Sequence, residues 1–181
     1  MQKFYYLLLL FVAATVTNQA QTMPTTSWAD YADTSWYDAN QNNFTISSAE
    51  ALAGVAQLVA AGNNFAGKTI TLNNNINLEA HLWVPIGVNI DFPFSGTFNG
   101  GSFTISNLFI NSSGSFVGLF GQAENANISQ IKINTATINA MDTAGVLVGN
   151  LSTNSSLEDC HVTNGLITGL DYNIGGLVGV Y

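Results

Sequence analysis

Three copies of one short phrase recur in the second half of the chain. They are Val117-Gly-Leu-Phe-Gly121, Gly145-Val-Leu-Val-Gly149 and Gly175-Gly-Leu-Val-Gly179, with final glycines 28 and 30 residues apart. A second phrase accompanies them as Ile105-Ser-Asn-Leu-Phe-Ile110, Ile128-Ser-Gln-Ile-Lys-Ile133 and Leu157-Glu-Asp-Cys-His-Val162, with apolar residues (or Cys160) at the first, fourth and sixth places. A unit of this length cannot bury its apolar side alone and must stack on copies of itself. In a sequence rich in Gly, Asn and β-branched residues, that predicts the coils of a β-solenoid. Aligning the phrases puts Leu119, Leu147 and Leu177 in one stacked row and Leu108, Ile131 and Cys160 in a second. Ile110, Ile133 and Val162 form a third, and Ile138 with Ile167 a fourth. The glycines are expected at corners, where they permit tight bends.

The 181 residues suffice for one domain with a sizeable core. Met1–Ala20 reads as a secretory signal peptide, with Lys3 as the positive start, Tyr5–Val12 as the apolar run and Thr17-Asn-Gln-Ala20 as a small-residue cleavage end. Its removal leaves Lys68 and Lys132 against 11 acidic residues, with no arginine anywhere. Nucleic acid and anionic membrane surfaces need clustered cations, so neither is an expected partner. No later stretch is apolar enough for membrane insertion. Polarity comes instead from 22 asparagines and many Ser and Thr residues, which suit outer faces that stack in ladders. Cys160 is the single cysteine and reads as a small buried hydrophobe, with His161 beside it on the opposite face of a strand. His81 and His161 lack metal-ligand spacing, and neither metal nor cofactor is expected.

The chain divides into a polar, aromatic-dotted lead-in over residues 21–44 and a solenoid domain over 45–181. Trp28, Tyr31, Trp36 and Tyr37 of the lead-in are expected to pack on the end of the domain. A capping helix is predicted within 45–67. Ser47 and Glu50 form its capping box, Leu52, Val55, Ala56, Leu58 and Val59 its apolar stripe, and Gly62 its stop. Covering the first coil is its expected task, since a bare strand edge invites pairing with other chains. The coils run from 68 to 181. The last repeat stops mid-unit, which points to further C-terminal repeats or end-to-end packing.

The ordered set Ile46-Ser-Ser-Ala-Glu-Ala-Leu52, Ala61-Gly-Asn-Asn-Phe-Ala-Gly67, Trp83-Val-Pro-Ile-Gly87, Phe94-Ser-Gly-Thr-Phe-Asn-Gly-Gly101, Thr104-Ile-Ser-Asn-Leu108 and Val117-Gly-Leu-Phe-Gly121 resembles the GLUG-motif proteins, secreted and surface proteins of bacteria. The resemblance runs from Phe44 to Tyr181. It implies an all-β, right-handed parallel β-helix with an adhesin-like or cell-surface role.

Polysaccharide lyases and hydrolases also use parallel β-helices, and their chemistry needs carboxylates or cations on adjacent coils. Glu158-Asp159 is the best acidic pair, but its aligned neighbours, Ser129-Gln130 and Ser106-Asn107, are neutral. Asp91, Asp142 and Asp171 are isolated loop acids. No catalytic set is therefore assigned. The candidate binding strip is an outward column of Phe109, Lys132 and His161, where an aromatic ring and cations offer stacking and hydrogen bonds to a glycan or peptide. The expectation is an exported, non-catalytic surface scaffold whose partners are host or surface glycans or proteins. The alternatives are a carbohydrate-active β-helix enzyme and the N-terminal part of a larger exported enzyme such as a peptidase.

Overall fold

The computed structural model describes residues 22–169 and 173–181, so the stretch Met1–Ala20, which reads as a signal peptide, and the loop acid Asp171 lie outside the described residues. The chain winds as a parallel β-solenoid of about five turns with one α-helix. The first coil holds β1 (Asn43–Ile46) and α1 (Ala49–Ala60), and the second holds β2 (Thr69–Leu72) and β3 (Ile76–Asn77). The next is built from β4 (Thr97–Asn99), β5 (Thr104–Ser112), β6 (Phe116–Val117) and β7 (Phe120–Ala123). Then follow β8 (Asn127–Ser129), β9 (Lys132–Ala140), β10 (Thr143–Gly145) and β11 (Val148–Leu151). The final coil is β12 (Ser156–Glu158), β13 (His161–Gly169), β14 (Ile174–Gly175) and β15 (Val178–Val180). Each strand pairs in parallel with its equivalent one coil away, giving sheets in the orders β1-β2-β4-β8-β12, β13-β9-β5-β3, β14-β10-β6 and β15-β11-β7.

The solenoid begins earlier than residue 68, because β1 already pairs along its length with β2. The helix is an insertion between these two strands. Ser48, not Ser47, is its N-cap, and the Ser48 hydroxyl accepts from the Ala51 amide at 3.2 Å. A capping box from Ser47 to Glu50 would need the cap one residue earlier. Leu52, Val55 and Val59 are fully buried, and Gly62 ends the helix at φ +96°. The lead-in packs on the helix and on the stretch after β3. It carries a short 3-10 turn over Trp28–Tyr31, and the Asp33 amide donates to the Glu50 carbonyl on the helix. Trp36 and Tyr37 join Phe44 and Phe65 in one aromatic cluster, with the Trp36 and Phe44 centroids 5.4 Å apart. The cluster continues inward through Phe94, Phe98 and Phe120.

Rows of like residues run down the interior. Phe44, Ile70, Phe98, Ile128 and Leu157 are paired in sequence along the first sheet. Leu119, Leu147 and Leu177 each precede a paired residue of β7, β11 and β15, and so form one row, as the repeat predicts. The fourth predicted row, Ile138 with Ile167, also forms and gains Ile110. The second and third rows differ from expectation. Leu108 pairs with Ala136 rather than stacking on Ile131, and Ile133 lies between Ile105 and Val162 rather than beside Ile110. Ile131 and Cys160 keep their shared row, one residue before the Lys132–His161 pair.

Left-handed residues cause the discrepancy. Asn107, Thr135 and Asn164 share one register position and have φ of 57°, 66° and 54°. Gln130 and Asp159 share another, at 55° and 51°, and Asn125 with Asn154 a third, at 53° each. Each such residue reverses the side-chain alternation, so inward positions fall at the first, fourth and sixth places around it. Ile105, Leu108 and Ile110 surround Asn107, whereas Ile128, Ile131 and Ile133 surround Gln130. The same local pattern thus marks two different corners of a coil, and the sequence phrase merged them.

Left-handed backbone is tolerated by Asn but costs a β-branched residue about 1–2 kcal/mol. Thr135 is the β-branched member of its row. Thr135→Asn, matching Asn107 and Asn164, is expected to raise the thermal midpoint by a few degrees, and an unchanged or lower midpoint in a melting curve would refute the strain.

The repeat glycines do not work through bending. Those at positive φ are Gly62, Gly67, Gly87 and Gly101, none of them in the three repeats. A Cβ on Gly149 would lie 2.5 Å from the Val117 amide nitrogen, and one on Gly179 2.5 Å from the Gly149 carbonyl oxygen. At Gly118, Gly149 and Gly179 the backbones of neighbouring coils approach too closely for any side chain.

Candidate functional site

The long sheet β13-β9-β5-β3 carries the chemistry-bearing side chains on its outer face. β5, β9 and β13 are nine residues each and pair almost throughout. Two outward positions at their start line up across three coils. Thr104, Lys132 and His161 form one column, and Ser106, Asn134 and Thr163 the next. Lys132, Asn134, His161 and Thr163 are exposed, and Thr104, Lys132, Asn134, His161 and Thr163 line a shallow groove.

Phe109 does not belong to this strip. It sits five residues beyond Thr104 on β5 and pairs with Thr137, away from Lys132. It is 1% exposed and outside the continuous core, so its ring is covered on the outer side and unavailable to a ligand. Met23 of the lead-in reaches this face, its Sδ accepting from the Asn139 side-chain amide at 3.5 Å, and from the stretch after β3 the Trp83 amide donates to the Phe109 carbonyl. Lys132 and His161 are adjacent as expected. Thr104, not Phe109, completes their column, because the 105 phrase matches Ile133 and not Ile128.

Amide and hydroxyl ladders fix the second column. Asn134 Oδ1 accepts from Thr163 Oγ1 at 3.1 Å and from Asn164 Nδ2 at 3.0 Å. One coil back, Asn107 Nδ2 donates to Asn77 Oδ1 at 2.9 Å. With its oxygen engaged, Asn134 has its Nδ2 donors to offer outward. Sequence reading missed Ser106, Asn134 and Thr163, although the density of asparagines signalled such ladders. Their alignment depends on the two-residue-longer turn before Thr104, which periodicity alone does not reveal.

Of the two lysines among the described residues, Lys68 is structural. Its Nζ donates to the carbonyls of Ala39 at 3.0 Å and Gln41 at 2.6 Å and lies 5.7 Å from the Phe44 ring centroid. Lys132 is the cation left to the outer surface. His81 is likewise engaged. It stacks on Tyr31 at 4.1 Å, meets Trp28 edge-on at 4.7 Å, and pairs through Nδ1 with Thr26 Oγ1 at 2.6 Å. It pins the lead-in to the coil.

Glu158 pairs with Ser129, which pairs with Asn99, so its neutral neighbours are Ser129 and Asn99 rather than Ser106. Both Glu158 and Asp159 are exposed, because the left-handed Asp159 breaks the alternation that would have opposed them. Cys160 is half-buried, with Sγ 3.3 Å from the Glu158 carbonyl. Burial raises its thiol pKa above the ordinary value, against smaller lowering effects from backbone hydrogen bonds, and this keeps it protonated and weakly nucleophilic. No group of three or more His, Cys, Asp or Glu residues suited to a metal occurs among the described residues, and no helix there is long and apolar enough to cross a membrane. In comparison with known proteins, no family model, curated sequence or solved structure matches the chain.

Proposed function

We propose that this protein is an exported, adhesin-like surface scaffold that binds through the outer face of the β3-β5-β9-β13 sheet without turning its ligand over. The observation that carries the reading is the two-column strip of Thr104, Lys132, His161 and Ser106, Asn134, Thr163, held in register by backbone pairing across three coils. Such a face presents donors and acceptors at a fixed rung spacing of about 4.8 Å on a backbone already ordered before binding. The signal-like Met1–Ala20 and the resemblance to GLUG-motif proteins support export and a surface role.

The test is retention on immobilised glycans and intact cells, with reducing ends measured in parallel. Binding without release of new ends is the expected result. Reproducible depolymerisation that disappears on Glu158→Gln or Asp159→Asn would replace this reading with a carbohydrate-active enzyme.

A further inference from the structure

We infer that the strip takes an anionic sugar polymer lying along the solenoid axis, a refinement that rests on the reading of this face as a binding surface. Three observations converge on that ligand. The two columns run across the strands, so successive contacts recur coil by coil along the axis. A linear polymer with a repeating unit matches such a surface better than a compact molecule does. The contacting groups are hydroxyls, an amide, an ammonium and an imidazole: Thr104, Ser106, Thr163, Asn134, Lys132 and His161. Protein-binding surfaces centre on exposed aromatic, Met or Arg anchors, and the one aromatic of β5 on this side, Phe109, is covered. Sugar hydroxyls, by contrast, pair readily with amides and hydroxyls.

The sign of the ligand follows from Lys132. It is an exposed lysine in a chain of net charge −8, and it stacks directly on His161, whose ring N–H donates to an anion in either charge state. Carboxylate and sulfate groups share the required chemistry. Glu158 and Asp159 lie at the corner just before His161 and bound the strip on that side. The overall negative charge repels a polyanion at long range, so recognition is short-range and slow to form, and it weakens as salt screens the Lys132 contact.

Affinity electrophoresis of the purified chain through gels containing polygalacturonate, dextran sulfate or neutral dextran tests this. Retardation by at least one polyanion and not by dextran is expected, with the carboxylated and sulfated gels separating the two sources of charge. Lys132→Gln and His161→Gln should each weaken retardation roughly three- to tenfold, and together abolish it, while the melting temperature stays unchanged. Failure of both polyanions, or equal retardation of the double variant, overturns the anionic ligand. If neutral dextran is retained instead, and Asn134→Ala releases it, the anionic ligand fails while the binding face itself stands.

Discussion

Leu147→Asp is expected to abolish cooperative unfolding. Leu147 is 1% exposed, with Leu119 at 0% on one side and Leu177 on the other, so a carboxylate there is enclosed by side chains that offer no hydrogen bond. An unpaired charge so placed costs several kcal/mol, against a total stability of about 5–15 kcal/mol for a domain. The partner substitution Leu177→Asp, in the half-exposed position of the last coil, should lower the midpoint far less. Urea unfolding followed by circular dichroism distinguishes the two. A sharp Leu147→Asp transition near the wild-type midpoint would mean that the leucine row is not the core.

Replacing Gly149 by Ala should be nearly as damaging, although it adds only a methyl group. The new Cβ meets the Val117 amide nitrogen at 2.5 Å and the Gly121 carbonyl oxygen at 2.9 Å, both backbone atoms of the preceding coil. Backbone held in a parallel ladder cannot swing aside as a side chain can, so the coils must separate locally. Overpacking of this kind costs about 1–3 kcal/mol or more, enough to lower the thermal midpoint by several degrees. Gly176→Ala is the matched control. It belongs to the same repeat phrase, but a Cβ there has nothing within 4 Å, and the midpoint should hardly move. Equal effects at Gly149 and Gly176 would show that the motif acts through chain flexibility rather than close approach.

These contrasts also show what the sequence made legible. The glycine phrase was readable because close backbone approach admits a single residue type, and its spacing of 28 and 30 residues equals the coil-to-coil register of β7, β11 and β15. The leucine row followed directly. The Ile-Ser phrases misled because a left-handed residue imposes the same apolar spacing at every corner it occupies. Asn107 and Gln130 therefore produced look-alike segments from different sides of the coil. That slip placed Phe109 beside Lys132 and hid Asn134 and Thr163. Export stays an expectation from a local composition pattern, and of the outward columns the sequence showed only Lys132 and His161. The covering of Phe109 belongs to no repeat position, since the Trp83 amide that meets its carbonyl lies in the irregular stretch after β3.

The order of the strands in each sheet bears on how the coils come together. The helix lies between β1 and β2, and the lead-in packs on it through the Asp33 amide and the Glu50 carbonyl. From β8 onward every strand docks on a partner about one repeat earlier in the chain, whereas β1, β3, β6 and β7 begin their sheets. The span of chain that must be closed for each step therefore stays the same however many coils precede it. Folding of a solenoid can start at any coil, and each added coil closes a loop of about the same length as the last.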